Sequence, residues 1–85
     1  MNISKREQRV LHALAQGGLI RFTRAENGHV TIVDCFNREG FRLADCTLET
    51  FNRLKRRRMI RSQSGSPYRI TRRGLEAVRS QLDNR

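Results

Sequence analysis

Cysteine is scarce in this chain and poorly spaced for chemistry: Cys35 and Cys46 stand alone, with no C-x-x-C pair. A zinc site is therefore poorly supported and a disulfide-stapled secreted scaffold is excluded, so both thiols read as small buried hydrophobes. Long apolar runs are missing too. The stretch after Lys5, Arg6 and Arg9 is broken by His12, Gln16 and Gly17-Gly18, so no signal-peptide core forms, and no segment approaches transmembrane length. Phosphate-loop, dinucleotide and metal motifs are absent. These absences lead us to expect a soluble cytoplasmic protein without cofactor or membrane partner.

The most informative absence is that of acidic residues between Thr50 and Leu75. That segment holds nine basic side chains and no carboxylate: Arg53, Lys55, Arg56, Arg57, Arg58, Arg61, Arg69, Arg72 and Arg73. Met1 to Glu49 holds seven basic and six acidic side chains, and the last ten residues balance, so the net charge of +10 comes almost wholly from one contiguous stretch. With 36% hydrophobic and 31% charged residues the chain is too apolar for a disordered tail and too polar for a membrane protein. Its 85 residues fit one domain, 1–85, with a small core.

Local signals lay out an α+β order. Ser4-Lys5-Arg6-Glu7 is a capping box, and Val10, Leu11 and Leu14 give one apolar stripe to a helix expected from Lys5 to Gln16, ended by Gly17-Gly18. Leu19–Arg24 and Val30–Phe36 read as strands around Asn27-Gly28, which predicts a hairpin with a type I′ turn pairing Glu26 with His29, Phe22 with Val33, Arg21 with Asp34 and Ile20 with Cys35. One face then gathers Ile20, Phe22, Val33 and Cys35, the other Leu19, Ala25, Val30, Ile32 and Phe36. Neither face is cleanly polar, so a cover over the second is expected. Asn37 to Asp45 reads as a turn and a short extended piece with Phe41 and Leu43 pointing inward.

Thr47 is a suitable N-cap for a second helix with Leu48, Phe51 and Leu54 inside and Glu49, Asn52, Arg53, Arg56 and Arg57 outside. Lys55 and Arg58 lie nearer the apolar side and should run their stems along it. Met59–Gln63 and Tyr68–Ile70 pair as a second hairpin around Ser64-Gly65-Ser66-Pro67. Thr71 caps a last helix with Leu75, Val78 and Leu82 in register, frayed at Asp83-Asn84-Arg85. The expected order is helix, hairpin, helix, hairpin, helix.

A helix with outward arginines followed by an arginine-bearing hairpin has the shape and charge of a nucleic-acid site. The segment from Phe51 and Leu54 through Met59-Ile60 to Tyr68-Arg69-Ile70-Thr71 and Gly74-Leu75 resembles the recognition helix, wing and following join of winged-helix domains. It departs from them in two ways. Arg58 stands where a helix-ending glycine is usual, and a hairpin replaces the first helix of the helix-turn-helix, so standard major-groove docking is not implied. Asn52, Arg53, Arg56 and Arg57 are the candidates for base or phosphate contact, and Arg61, Arg69, Arg72 and Arg73 for backbone contact. An acidic protein surface would satisfy the same residues, and a solvated basic face is the bland alternative. For catalysis, His12, His29 and Tyr68 are the available groups. Neither histidine sits at motif spacing from a nucleophile, which leaves a metal-independent ribonuclease as a minor reading.

Over its whole length the chain resembles the YjhX family, small bacterial proteins proposed as toxins of toxin–antitoxin pairs. The matching residues are Ser4, Glu7-Gln8-Arg9, Leu11-His12, Gly17-Gly18, Cys35, Arg38-Glu39-Gly40, Leu43-Ala44-Asp45-Cys46-Thr47-Leu48, Phe51, Leu54-Lys55, Pro67-Tyr68-Arg69-Ile70, Gly74-Leu75 and Asp83-Asn84-Arg85. The resemblance implies a small winged-helix-like domain, noncatalytic inhibition of bacterial DNA topoisomerase I, and an acetyltransferase-like antitoxin as partner. A DNA-binding regulator is the alternative function.

Overall fold

The computed structural model describes residues 3–83, with side chains through Arg79. Its elements follow the expected order with one strand added: α1 (Lys5–Ala15), β1 (Leu19–Arg24), β2 (Val30–Phe36), β3 (Arg42–Leu43), α2 (Leu48–Arg56), β4 (Ile60–Arg61), β5 (Arg69–Ile70) and α3 (Arg72–Asp83). The strands form an antiparallel three-stranded sheet, β1-β2-β3, and a two-stranded ribbon, β4-β5. The last expected features, the Leu82 side chain and the Asn84-Arg85 end, lie outside the described residues.

The capping box forms as its chemistry requires. Glu7 N–H donates to Ser4 Oγ and Ser4 N–H to Glu7 Oε1, each at 3.1 Å, which satisfies two otherwise orphaned donors. At the other end Gly17 takes φ +108, and a Cβ on Gly18 would collide with the Phe36 carbonyl and sit 2.9 Å from Ala13 O. The pair of glycines both stops the helix and lets the chain turn tightly onto the sheet.

The first hairpin has the expected register at its base, with Ile20 opposite Cys35, Arg21 opposite Asp34 and Phe22 opposite Val33. Its tip differs. Gly28 N–H donates to Ala25 O and Ala25 N–H to His29 O, both 2.9 Å, and Gly28 alone in the loop has positive φ. That is a three-residue loop with glycine in the left-handed position, not a type I′ turn, which would need Asn27 left-handed too. Glu26 and His29 do not pair. The longer loop is offset by a shift after Thr23, where Arg24 pairs with Val30 and Thr31 is left over. A bulge of this kind reverses the alternation beyond it, which is why Val30 packs against the core although simple alternation assigns it to the opposite face.

Two apolar side chains lie differently from the expectation. Among the described residues nothing covers the second face of the sheet at Ile32, which stays 55% exposed. Phe41 does not point inward: it is 68% exposed, because its backbone closes the turn against Asn37 and leaves its ring beyond the end of the core. Leu43, paired with Cys35, does pack inward. Leu48 is also more exposed than its place on the α2 stripe implied, while Thr50 is buried.

The core is drawn from every layer. Val10, Leu11 and Leu14 of α1 meet Ile20 and Cys35 of the sheet, Phe51 and Leu54 of α2, Met59 and Ile60 at the ribbon, and Ala77 and Val78 of α3. Tyr68 ties the two sheets together. Its backbone exchanges two hydrogen bonds with Ile20, at 2.8 and 2.9 Å, and its ring meets Phe51 and Phe22 edge-on at centroid separations of 4.8 and 5.2 Å. That junction shortens the second hairpin from the expected Met59–Gln63 and Tyr68–Ile70 to Ile60–Arg61 and Arg69–Ile70, since Tyr68 is engaged by β1 instead.

Candidate partner-binding face

The basic segment is built around one corner, at the end of α2. Thr47 caps the start of that helix, its Oγ1 accepting from Thr50 N–H at 3.2 Å. At its end Met59 N–H reaches Leu54 O and Arg58 N–H reaches Lys55 O, both 3.0 Å, with Arg58 at φ +61. This is a Schellman closure with arginine in the position normally given to glycine. Buried Met59 and Leu54 supply the hydrophobic contact that accompanies such an end. Arg58 thus takes the glycine's conformation without the glycine's ease, at a cost of roughly 1 kcal/mol.

Thr71 fastens the ribbon and α3 to that corner. Its hydroxyl donates to Arg58 O at 2.7 Å and accepts from Gly74 N–H at 3.2 Å, while its own N–H donates to Met59 O at 2.9 Å. One residue, through its hydroxyl and its backbone N–H, joins the end of α2, the base of the ribbon and the start of α3. Gly74 completes the joint, because a Cβ there would lie 2.5 Å from Met59 O and 2.6 Å from Ile70 Cγ1.

All eight candidate residues, Asn52, Arg53, Arg56, Arg57, Arg61, Arg69, Arg72 and Arg73, are exposed, but they are not equivalent. Arg53 pairs with Glu49 at 3.2 Å and Arg72 with Glu76 at 3.7 Å, both along their own helices. Such surface pairs contribute little and are easily exchanged. Arg57 is different. Its Nη1 lies 3.6 Å from Oε2 of Glu7, a carboxylate buried to 2% exposure whose Oε2 has no hydrogen-bond partner among the described residues. Sequence reasoning placed Glu7 in the cap of α1 and missed that its second oxygen faces α2. No local signal could have revealed it, because the two residues lie fifty positions apart.

Arg56, Arg61, Arg69 and Arg73 meet no carboxylate within the described residues. Arg61 and Arg69 are direct cross-strand partners, so both side chains project from the same face of the ribbon. Like charges in that relation repel and destabilise. Arg72 and Arg73 stand in the first turn of α3, which carries no acidic residue, where the helix dipole disfavours cations. Lys55 runs its stem over the aromatic cluster, Nζ lying 6.0 Å from the ring centres of both Phe51 and Tyr68, as its place near the apolar side required.

The residues considered for catalysis differ in their surroundings. Tyr68 is buried in the aromatic cluster, His12 is exposed on α1, and His29 is exposed at the first hairpin's tip, where its N–H donates to Asn27 Oδ1. No hydrogen bond among the described residues joins Tyr68 to either histidine. No cluster of three or more His, Cys, Asp or Glu residues suited to a metal ion occurs among the described residues. Within the same residues, no helix is long and apolar enough to cross a membrane.

Comparison with known proteins gives one consistent family. The profile of the YjhX toxin family, described as "Putative toxin of bacterial toxin-antitoxin pair", matches residues 1–85. A UPF0386 protein of Parvibaculum lavamentivorans is 64% identical over 85 residues, one of Brucella anthropi 59% and one of Aliivibrio fischeri 51%, each covering the whole of both chains. No solved structure matches. With a whole-length profile match and relatives aligned end to end, the chain belongs to the YjhX toxin family, whose members are assigned to toxin–antitoxin pairs.

Proposed function

We propose that this protein is a noncatalytic toxin that inhibits bacterial DNA topoisomerase I by presenting the α2 and ribbon arginines to an anionic surface of the enzyme or of its DNA. The target comes from the family resemblance; the mode of action comes from the charge geometry. The observation that supports it most is the Arg61–Arg69 cross-strand pair inside a segment without acidic residues. Two arginines held directly opposite each other at an exposed ribbon cost stability, and an anion bound across them would offset that cost. Arg56 on α2, with Arg53 once Glu49 is exchanged, extends the same charge onto the preceding helix. An acetyltransferase-like antitoxin is the counterpart we assign to it, as a protein that covers the toxin until release.

The test is supercoil relaxation by purified topoisomerase I with the wild-type protein and with an Arg53→Glu/Arg56→Glu/Arg61→Glu variant. Wild type should inhibit and the variant should not. If wild type leaves relaxation unchanged at concentrations where it is folded and monodisperse, the target is wrong.

The order of a basic helix followed at once by a basic ribbon also favours a second reading, a DNA-binding regulator. Gel shifts at several salt concentrations separate the two. A regulator gives sequence preference that Arg53→Ala and Arg56→Ala relax, whereas phosphate contact alone gives uniform weakening, with each phosphate contributing about 0.9 to the log–log salt slope. The ribonuclease reading gains no support from this arrangement, in which Tyr68 is buried while His12 and His29 are exposed.

A further inference from the structure

Uncompensated positive charge also occurs away from the α2 corner. Asp34 stands opposite Arg21 in the register of the first hairpin, yet it is held by Arg42, whose Nε lies 2.9 Å from its Oδ1. Arg21 therefore meets no carboxylate among the described residues, and neither does Arg38 in the β2-β3 turn. Both arginines line one cleft of about 400 Å³, where that turn approaches the turn between α1 and β1. Phe36 and Asn37 complete its wall, and no carboxylate among the described residues lines it. None of the eight arginine-corner candidates takes part.

The cleft is built on fixed backbone. Asn37 Oδ1 accepts from Glu39 N–H at 3.0 Å and from Phe41 N–H at 2.9 Å, and Gly40 N–H donates to Asn37 O at 3.0 Å, so three hydrogen bonds set the turn that carries Arg38. With its oxygen so used, the Asn37 side chain keeps its amide nitrogen as a donor. A Cβ on Gly17 would sit 3.7 Å from Arg38 Cγ, so the arginine stem lies across bare backbone at the end of α1. The partial charge of a helix end offsets about half of one cation, and here there are two. Arg21 Cζ stands 5.9 Å from the centre of the Phe36 ring, near the limit of about 6 Å for a cation–π contact. Phe36 is half-buried and outside the core cluster, so its ring serves the surface rather than the interior.

We infer that this cleft is a nucleotide-binding site, in which Arg21 and Arg38 take the phosphate, the Phe36 ring stacks on the base and the Asn37 amide donates to the base or sugar. Two cations and a donor without a carboxylate select an anion, and forked guanidinium groups match phosphate oxygens. The ring beside them adds a flat apolar surface that a bare anion does not use and a base does. An acidic peptide would satisfy the arginines and leave the ring idle. The volume falls within the range of roughly 300–1,000 Å³ typical of small-molecule sites. A free mononucleotide and one unit of a single strand share this chemistry. The site involves binding alone, and it stands whether or not the protein inhibits a topoisomerase.

The experiment titrates the isotope-labelled full chain with AMP and with inorganic phosphate at physiological salt, following backbone amides by NMR. AMP should shift the amides of Gly17, Arg38 and Gly40 to saturation and bind roughly tenfold more tightly than phosphate. Arg21→Gln and Arg38→Gln, both at exposed positions, should keep the fold and each weaken AMP roughly tenfold. Phe36→Leu should weaken AMP roughly fivefold and leave phosphate binding as it was. A short single-stranded adenylate that binds through the same amides more tightly than AMP assigns the site to single strands, and equal binding assigns it to free nucleotides. The inference is overturned if AMP shifts no amides, or only those between Arg53 and Arg73. It is overturned too if phosphate binds as tightly as AMP and Phe36→Leu changes neither, which marks a plain anion site. Oligoglutamate saturating the cleft amides more tightly than AMP would assign them to an acidic protein instead.

Discussion

From Met1 to Glu49 seven basic side chains face six acidic ones, and the structure pairs them across elements: Arg9 of α1 with Asp45, Arg42 of β3 with Asp34 of β2. From Thr50 to Leu75 nine basic side chains occur with no acidic residue among them, and Arg56, Arg61, Arg69 and Arg73 have no carboxylate in space among the described residues. The first region pairs charge within itself and also lends Glu7 and Glu49 to Arg57 and Arg53 of the second. The second accumulates electrostatic costs: a like-charged cross-strand pair, cations at a helix N-terminus, and an arginine in left-handed backbone. Such costs gather where a sequence serves something other than its own stability.

The contrast can be broken most severely at the ring that joins the regions. Phe51→Ala removes a fully buried side chain and its edge contact with Tyr68, and should cost about 3–5 kcal/mol, enough to unfold much of the population in a denaturant titration. Gly74→Ala attacks the joint of α3 with the ribbon. Its new methyl would meet Met59 O and Ile70, and a loss of roughly 2 kcal/mol is expected by the same titration. Glu7→Ala removes a cap and the buried partner of Arg57 and should cost about 2 kcal/mol, with the loss falling on α1 in hydrogen exchange.

The smallest effect sharpens the comparison most, because its sign is unusual. Arg61→Glu turns the repulsive pair into an attractive one and should stabilise the fold by roughly 0.5 kcal/mol while weakening any anionic partner. A midpoint that falls together with binding would show that Arg61 serves the fold after all.

Much of this architecture is legible in the sequence, and for identifiable reasons. The capping box at Ser4, the strands on either side of Asn27-Gly28, the Thr47 cap and the α3 start at Thr71 are local signals, and each forms. What the sequence hides is non-local or cumulative. The Asn-Gly pair marks a turn but not its length, and the leftover Thr31 compensates for the extra loop residue, so the base register is the expected one although the tip is not. Phe41 reads as core by alternation, yet the turn hydrogen bonds around Asn37 place it past the core's edge. The basic stretch is plain by counting, but which of its members are already held, Arg53 by Glu49, Arg57 by Glu7 and Arg72 by Glu76, is visible only once the helices are packed.

The Glu7–Arg57 contact carries an implication for how this molecule would respond to capture. A ligand that draws the Arg57 guanidinium outward leaves a carboxylate stranded in an apolar interior, and that carboxylate also secures the first turn of α1. Occupancy on one side of the protein is therefore opposed by an internal competitor and registered at the opening helix, so that loosening at Ser4 becomes a reporter of engagement at the arginine corner.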